Sequence, residues 1–271
     1  MRAAVVGHVE WVRFAEVERL PEQGAILTAE DSWEEPGGGG ADAAGELVRL
    51  GAEVDFFVAV GNDEVGARAR ESLETLGCRV HAVVRDEPQR RAFTYVDGEG
   101  ERTITLLGPK LHPHGSDPLP WDELAEIETV YFCAGDADAL RTARRARVLV
   151  ATARELPTLI EAGVQLDALV RSGLDPSEAY EPGLLDPEPR LVVSTMGRTG
   201  GSYVAGADEG TFAAAEPPGP VADAYGAGDC FAAGLTFALG RGDDAQTALS
   251  FASACGATAL TRRGAHGRKG R

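Results

Sequence analysis

A loop of small residues near the C-terminal end carries the most specific chemical signal in the sequence. It runs from Asp223 to Asp229 as DAYGAGD and leads directly into a helix-like stretch. Gly226, Ala227 and Gly228 carry little or no side chain, so their backbone N–H groups can come close to a phosphate, and the positive end of the helix dipole adds to the attraction. Asp229 supplies a carboxylate that can take a proton from a hydroxyl. Together these features predict a phosphoryl-transfer site.

A simpler interpretation is a tight turn in which the aspartate caps the helix. A second glycine cluster bears on this choice, because Gly37–Gly40 stand in a row and are followed by Ala41 and Asp42. Such glycines let a hydroxylated ligand approach the backbone closely, although a plain helix-entry loop explains them equally well. The sequence has no GxxxxGKS or GxxxxGKT motif, which excludes a P-loop kinase on its own signature.

Length and composition fit a globular enzyme. The chain has 271 residues, of which 44% are hydrophobic and 25% charged, which suits one large α/β domain or two small ones. Its formal net charge of −17 argues against nucleic-acid binding, which needs a basic face. A local pocket of amides and one or two cations can still bind a nucleotide within such a field.

Cysteine spacing and hydropathy predict a cytoplasmic protein with no membrane partner. The four cysteines are far apart and form no metal-type spacing, so we expect buried free thiols in a reducing compartment. The five histidines form no ligand spacing either. The first residues have too short an apolar run for a signal peptide, and no run reaches membrane-spanning length.

Strand-like and helix-like segments alternate along most of the chain, which predicts a mainly parallel sheet covered by helices on both faces. The predicted strands of this sheet are Ala3–Val6, Val54–Val60, Val80–Val84, Val130–Cys133, Val148–Ala151, Ala168–Val170 and Leu191–Thr195, with a hairpin at Ser202–Ala205 and Thr211–Ala214. The predicted helices are Ala41–Leu50, Asp63–Leu76, Ala137–Arg145, Leu156–Ala162, Asp229–Leu239 and Asp244–Thr258.

Two hairpin-rich stretches, residues 10–35 and 89–107, interrupt this alternation. The predicted strands are Ile26–Ala29 and Ser32–Glu34 in the first stretch, and Ala92–Val96 and Thr103–Leu107 in the second. They could pair as a small β-sheet that stands off the core as a lid. The chain shows no internal repeat, so we expect residues 1–271 to form one domain, with residues 267–271 frayed.

Three segments, in their order along the chain, resemble the ribokinase-like (PfkB) carbohydrate kinases. Residues 37–51 resemble the first signature of that family, and residues 223–229 resemble the second, which is the more specific of the two. Residues 193–200 resemble its nucleotide-side strand and loop. The resemblance spans nearly the whole chain and implies a three-layer α/β/α fold with a mainly parallel central sheet and a small β-sheet lid.

The resemblance implies ATP-dependent phosphorylation of a hydroxyl on a sugar or sugar-like substrate, with Mg²⁺ and an open question about K⁺. In that family pattern Asp229 is the base that accepts the hydroxyl proton, and the amides of residues 226–228 form the anion hole. The nucleotide side would comprise Thr195, Gly197, Gly200 and Asp223. The acceptor side would comprise Glu10, Gly38, Gly39, Asp42 and Asp136. A homodimer formed through the lid is a further expectation by analogy.

Three positions depart from the family pattern. The family usually has Asn at the place of Asp42, and an ionised acid there accepts hydrogen bonds but cannot donate one. Val12 replaces an acceptor-binding Asp; Glu10 lies on the same strand face and could serve instead, or could be a solvated surface carboxylate. The family's Asn-x-x-Glu motif falls on residues 172–175, so Asp175 is the predicted metal ligand, with Glu178 as the alternative.

Several side chains keep two interpretations. Asp136 follows a strand, where an acceptor-side carboxylate would lie, or it caps the next helix. Arg90 and Arg91 could meet a phosphorylated or acidic acceptor, or could be solvated charges on an edge strand.

The sequence is consistent with three candidate functions. A sugar kinase leads, a nucleoside kinase shares its chemistry, and a non-catalytic ligand-sensing member would explain the departures from the family pattern. The intact loop at residues 226–229 argues against the last, because a carboxylate beside a phosphate site is electrostatically unfavourable unless catalysis needs it.

Overall fold

Alternate residues of the buried strands pack into two separate apolar clusters, one on each face of a large sheet. In β1 (Arg2–His8), Ala3 and Val5 join one cluster, whereas Ala4 and Val6 join the other. Successive strand side chains point to opposite faces, so a strand buried on both sides reads as a continuous apolar run. The computed structural model describes residues 1–267, so the predicted frayed end at residues 267–271 lies outside the described residues except for Gly267.

The elements alternate much as the sequence predicts. The other strands are β2 (Glu10–Glu16), β3 (Asp31–Gly37), β4 (Glu53–Gly61), β5 (Cys78–Arg85), β6 (Arg91–Val96), β7 (Arg102–Leu107), β8 (Thr129–Phe132), β9 (Val148–Thr152), β10 (Ala168–Ser172), β11 (Val192–Thr195), β12 (Gly201–Ala205) and β13 (Asp208–Phe212). The α-helices are α1 (Gly39–Arg49), α2 (Glu64–Thr75), α3 (Ala137–Ala143), α4 (Leu156–Ala162), α5 (Ala227–Arg241) and α6 (Ala245–Ala259).

The large sheet has nine strands in the order β13-β12-β11-β10-β9-β8-β1-β4-β5. The run from β5 to β11 is parallel throughout, and β12 and β13 add antiparallel strands at one edge. Helices α1, α2, α5 and α6 contribute to one apolar cluster, and α3 and α4 to the other. The predicted α/β/α layering and mainly parallel sheet are confirmed.

Strand β1 marks the crevice where a ligand can bind. It pairs with β4 on one side and with β8 on the other. The chain therefore adds β4 and β5 on one side of β1 and later adds β8 and the strands after it on the other side. Open α/β sheets bind ligands at the carboxyl ends of the strands beside such a point. Helix α1 packs against β1, and α5 packs against β8, so both helices flank this crevice.

A second sheet has four strands in the order β3-β2-β6-β7, consistent with the predicted lid. Its apolar face encloses Val12, Phe14 and Trp33 together with Tyr225 from the glycine loop. Phe14 stacks on Trp33 with ring centroids 4.9 Å apart, and it meets Tyr225 edge-on at the same distance. The lid therefore rests directly on the loop that carries the predicted chemistry.

One strand prediction in the lid is wrong. Residues 26–29 form no strand, and Ile26 is almost fully exposed. Strand β2 pairs with β3 on one side and β6 on the other, so the intervening segment has no position beside it in the sheet. The apolar Ile-Leu pair suggested a strand, but strand formation depends on packing of the apolar side chains, and Ile26 packs against nothing in the lid.

The four cysteines are buried and unbridged, which confirms the expectation of free thiols. Among residues 1–267, no helix combines the length and apolar character needed to cross a bilayer.

Candidate active site

The turn before α5 presents main-chain donors to open space. Gly226 has φ 71°, a left-handed conformation that favours glycine, and no side chain caps the helix. The first hydrogen bond of the helix runs from Cys230 N to Gly226 O over 2.8 Å, so the preceding amides have no intrahelical partner. A methyl group added at Gly228 would meet no atom within 4 Å. This geometry can hold an anion at the helix N-terminus.

The two glycine signatures lie side by side, because α1 packs against α5. A methyl group added at Gly39 would lie 2.8 Å from Oδ1 of Asp229, and one at Gly226 would lie 3.1 Å from Oδ2 of Asp42. The N–H of Gly38 donates to the Tyr225 hydroxyl over 3.0 Å. Glycines are thus required where the two helix starts approach each other.

Asp229 is placed to act as a base near neutral pH. Burial raises its pKa to about 6, while the charges of Arg154 and Arg102 oppose the increase. A general base works best when its pKa lies close to the working pH, because it is then deprotonated but still basic. The carboxylate therefore has the position and the proton affinity that the predicted role needs.

Asp42 lies in acidic surroundings and is 1% exposed. Its Oδ1 atom is buried and has no hydrogen-bond partner among residues 1–267. Burial raises the pKa of Asp42 well above its usual range, and the negative charges of Asp229, Glu35 and Glu10 add to the increase. A protonated carboxylic acid has one O–H donor and one carbonyl acceptor. A side-chain amide likewise has both a donor and an acceptor. Asp42 can therefore supply the donor that the family's Asn provides.

Glu10 faces Gly38 of the glycine cluster before α1, whereas Val12 lies against Gly37 at the start of that cluster. A methyl group at Gly38 would lie 3.0 Å from Cγ of Glu10 and 3.2 Å from Nε2 of His8. Val12 is enclosed in the lid core. Burial raises the pKa of Glu10, and the nearby Arg90 counteracts that increase. The interpretation of Glu10 as a solvated surface carboxylate is wrong, because it is only 6% exposed.

The neighbouring arginines of the lid differ sharply in their environment. The Arg90 side chain is 14% exposed and its Nε lies 3.4 Å from Oε1 of Glu10. The Arg91 side chain is 52% exposed and pairs with Asp63 at 3.6 Å. A solvated charge therefore describes Arg91 and is wrong for Arg90, but β6 is an interior strand of the lid sheet and not the predicted edge strand.

The predicted nucleotide-side residues follow β11. Thr195 ends that strand, and its hydroxyl donates to the carbonyl of Arg171 over 3.3 Å. Gly197 and Gly200 lie in the next turn with φ values of 56° and 86°. Asp223 is buried, and its two carboxylate oxygens accept hydrogen bonds from Tyr225 N and Gly264 N. Asp223 therefore fixes the loop from within, and its nucleotide contact stays a prediction.

The predicted metal ligand Asp175 already has protein partners. Its Oδ1 accepts hydrogen bonds from the amide and hydroxyl of Ser177, and its Oδ2 lies 2.9 Å from Arg154. The alternative, Glu178, pairs with Arg154 at 2.6 Å and accepts a hydrogen bond from Ser172 N at 2.7 Å. Arg154 bridges this acidic pair and offsets one of its two negative charges, so the pair does not present a free set of magnesium ligands.

Asp136 caps α3. Its Oδ1 accepts hydrogen bonds from Ala139 N and Gly115 N, each over 2.8 Å. The capping interpretation is thus confirmed, and an acceptor contact by the same residue stays a prediction.

Sequence reasoning missed three charged or titratable residues near the crevice, which are His8, Lys110 and Arg154. His8 directly follows the first-strand glycine, and Lys110 is one of only two lysines in the chain. That rarity was a usable signal for Lys110. Arg154 gave no such signal, because its contact with Glu178 joins segments that follow two different strands.

A family model for pfkB carbohydrate kinases matches residues 2–169 and 137–268. The chain belongs to this family. Among curated relatives, an ATP-dependent ribose-1-phosphate kinase of Halopiger xanaduensis is 29% identical over 98% of this chain and 94% of its own length. An aminoimidazole riboside kinase of Salmonella typhimurium is 29% identical over 85% of this chain and 83% of its own length.

Solved structures show the same fold. A putative ribokinase from Agrobacterium tumefaciens superposes with a TM-score of 0.82 at 20% identity, covering 98% of this chain and 93% of that one. Family membership makes this kinase an ATP-dependent phosphotransferase with an alcohol group as acceptor, acting on a sugar or a nucleoside. The non-catalytic interpretation is therefore set aside.

Proposed function

We propose that this kinase transfers the γ-phosphate of ATP to a hydroxyl of a sugar or sugar-like substrate, with Asp229 as the general base. The observation that supports this most is the position of Asp229, which is next to Gly39 on the acceptor side and directly follows residues 226–228, whose amides have no side-chain cap. Positioned donors and a tuned base are the main contributions a protein makes to phosphoryl transfer.

In the proposed reaction the acceptor lies against Gly38 and Gly39, with Glu10 and Asp42 oriented to its hydroxyl groups. The reacting hydroxyl gives its proton to Asp229 as its oxygen attacks the γ-phosphorus. The bond from that phosphorus to the bridging oxygen of ADP breaks. The amides of Gly226, Ala227 and Gly228 stabilise the negative charge of the transferred group.

Magnesium enters this proposal with ATP, whose phosphates supply most of its ligands in kinase sites. Because Arg154 already pairs with both Asp175 and Glu178, we derive no step through a metal held by these two residues. A requirement for K⁺ rests on the family resemblance alone, and replacing KCl by an organic chloride salt in the assay tests it.

Replacing the base gives the direct test. We expect Asp229→Asn to lower kcat by about 10²–10⁴-fold, because proton transfer is lost while the amide turn is retained. ADP release with a panel of sugars and nucleosides measures this, and ATP binding by calorimetry should stay close to wild type. Normal turnover of the variant on its best acceptor would refute the assignment of the base.

A riboside is the second candidate acceptor. It is favoured by the similarity to an aminoimidazole riboside kinase, while the ribose-1-phosphate kinase favours a sugar derivative. Both relatives act on ribosyl compounds, so the panel should begin with ribose, its phosphates and the common nucleosides. The ratio of kcat/KM values separates the two candidates.

We also propose a homodimer formed through the lid. Strand β7 lies at the edge of the lid sheet and exposes Ile104, Leu106 and Leu107. An exposed apolar edge strand favours pairing with another strand. Sedimentation should give a dimer, and a double Ile104→Ser, Leu106→Ser variant should sediment as a monomer.

A further inference from the structure

One hairpin of the lid is hydrogen-bonded to the loop that leads into α5. This lid hairpin consists of β6, β7 and the turn at residues 97–101 that joins them. The carbonyl of Gly100 accepts a hydrogen bond from Ala224 N over 3.0 Å. The guanidinium of Arg102 donates from Nη1 to the carbonyl of Ala224, also over 3.0 Å. Both backbone hydrogen-bonding groups of Ala224 are therefore held by the lid.

The turn of the hairpin has a defined shape and fits closely against the loop. Oδ1 of Asp97 accepts hydrogen bonds from the amides of Glu99 and Glu101, each over 3.0 Å. Gly100 has a left-handed φ of 78°, and a methyl group added there would lie 3.0 Å from the carbonyl oxygen of Ala222. A glycine is therefore needed both for the turn and for the contact with the loop.

The core of the protein holds the residues that precede Ala224, but by different contacts. Ala222 N donates to the carbonyl of Leu260, which follows α6, over 2.7 Å. The carboxylate of Asp223 accepts a hydrogen bond from Gly264 N over 2.6 Å. The loop is thus fixed by the core up to Asp223 and by the lid hairpin at Ala224.

The chain continues from Ala224 through a single residue to the amides of residues 226–228 and then to Asp229. Peptide bonds are planar, so each residue has only two soft dihedral angles with which to absorb a displacement. A shift of Ala224 would therefore be passed on to the amides and the base. In enzymes, a misplacement of about 1 Å can lower the rate about 100-fold.

The charge of Arg102 also acts on the acids of this loop. Burial raises the pKa of Asp229 to about 6, and the positive charges of Arg154 and Arg102 counteract the increase. Burial likewise raises the pKa of Asp223, against the effect of its backbone hydrogen bonds and of the Arg102 charge. Arg102 therefore favours the ionised form of the base as well as the position of the loop.

We propose that Arg102, together with Gly100, is a positioning residue for the transfer step, because it holds Ala224 and so places the amides of residues 226–228 and the base. This inference rests on the proposed kinase function and adds a role for the lid in the transfer itself. Glu10, at the start of β2 in the same sheet, faces Gly38. The lid sheet thus connects the acceptor side with the amides.

Steady-state kinetics of Arg102 variants with the best acceptor test the inference. We expect Arg102→Gln to lower kcat by about 10–100-fold, as for a displacement of up to about 1 Å. KM for the acceptor should stay within about threefold of wild type, because the lost contact serves the transfer step. Arg102→Lys keeps the charge and a donor and should recover part of kcat. Because Arg102 is exposed, the melting temperature should stay close to wild type.

Two results with Arg102→Gln would overturn the inference. A kcat within about twofold of wild type would show that the hairpin does not position the reacting groups. A loss confined to KM for the acceptor would place the role of Arg102 in acceptor binding instead.

A matched pair of glycine variants tests the hairpin without changing a charge. Gly100→Ala adds a methyl group against Ala222 and should lower kcat. Gly108→Ala is the control, because Gly108 follows β7 at its other end, also has a left-handed φ, of 91°, and has no atom within 4 Å of an added methyl group. Both variants strain a left-handed residue, so both should lower the melting temperature, but only Gly100→Ala should lose kcat. Equal kcat values in the two variants would contradict the inference.

The inference and the proposed function fail in different ways. If Asp229→Asn is inactive while Arg102→Gln and Gly100→Ala turn over at the wild-type rate, the kinase assignment stands and the role of the hairpin is wrong. If Asp229→Asn keeps normal turnover while the two hairpin variants lose kcat, the assignment of the base is wrong and the role of the hairpin stands.

Discussion

The glycine turn that opens α5 and the charged group beside β1 face each other across Gly38 and Gly39, yet they are built by different means. The turn offers main-chain amides, and the space before Gly228 is open. The opposite side offers side chains such as His8, Glu10 and Arg90, which are largely buried and come from separate segments. The first region binds charge through backbone conformation, and the second through long-range packing.

This difference has a consequence for how each region can be changed. A backbone anion site depends on small residues and a left-handed turn, so a single methyl group can obstruct it without removing any donor. A side-chain site loses a specific partner with each substitution, and the remaining buried charge is then left unpaired.

Apart from loss of the base itself, the largest effect is expected from Gly228→Ala in the turn. The added methyl group meets no protein atom within 4 Å and projects into the open space at the amides. We expect kcat/KM for ATP to fall by about 10²-fold or more, as when a donor to the transition state is lost. Because Ala is favoured over Gly in a helix by about 0.5–1 kcal/mol, the free energy of unfolding should not decrease. An active variant would show that the phosphate binds elsewhere.

An intermediate effect is expected from Arg154→Gln. Burial raises the pKa of Asp229, and the positive charge of Arg154 limits that increase. Without this charge the pKa should rise further, so the acid limb of the pH–rate profile moves to higher pH. If the pKa of Asp229 rises by about one, the rate on that limb should fall about tenfold at any fixed pH. Arg145→Gln is the control, because Arg145 pairs with the exposed Asp122. If the acid limb of the Arg154→Gln profile stayed at the wild-type pH, the electrostatic effect of Arg154 on Asp229 would be contradicted.

The smallest effect on activity is expected from Asp42→Asn. If Asp42 acts as a neutral acid, an amide in its place should keep kcat/KM within about threefold, since both groups offer a donor and an acceptor. A loss above about a hundredfold would show that the ionised carboxylate is needed.

The same variant should alter the pH dependence of stability. The folded pKa of Asp42 is raised above the unfolded value of about 3.9. The folded state therefore keeps a proton that the unfolded state releases, so this group lowers stability as pH rises above about 4. Asp42→Asn removes this effect. The melting temperature of the variant minus that of wild type should therefore increase from pH 5 to about pH 8. A constant difference across that range would contradict the raised pKa.

The glycine turn was readable from the sequence because its function depends on a few contiguous residues at a helix start. The layers of the fold were readable because buried strands and helices leave apolar runs. The environment of Arg90 was not readable, since the adjacent Arg91 has the same chemistry and differs only in its exposure and its partner. The partners of Asp175 and Glu178 were hidden for a similar reason, because Arg154 reaches them from another segment.

The dependence of kcat/KM on pH tests the central claim most directly. With Asp229 as the base, and its pKa raised to about 6, the rate should fall below a midpoint near that pH as the carboxylate takes up a proton. Above the midpoint the rate should stay level until another group titrates. A rate that is flat from pH 5 to about 8, or the same acid limb in Asp229→Asn, would contradict the account.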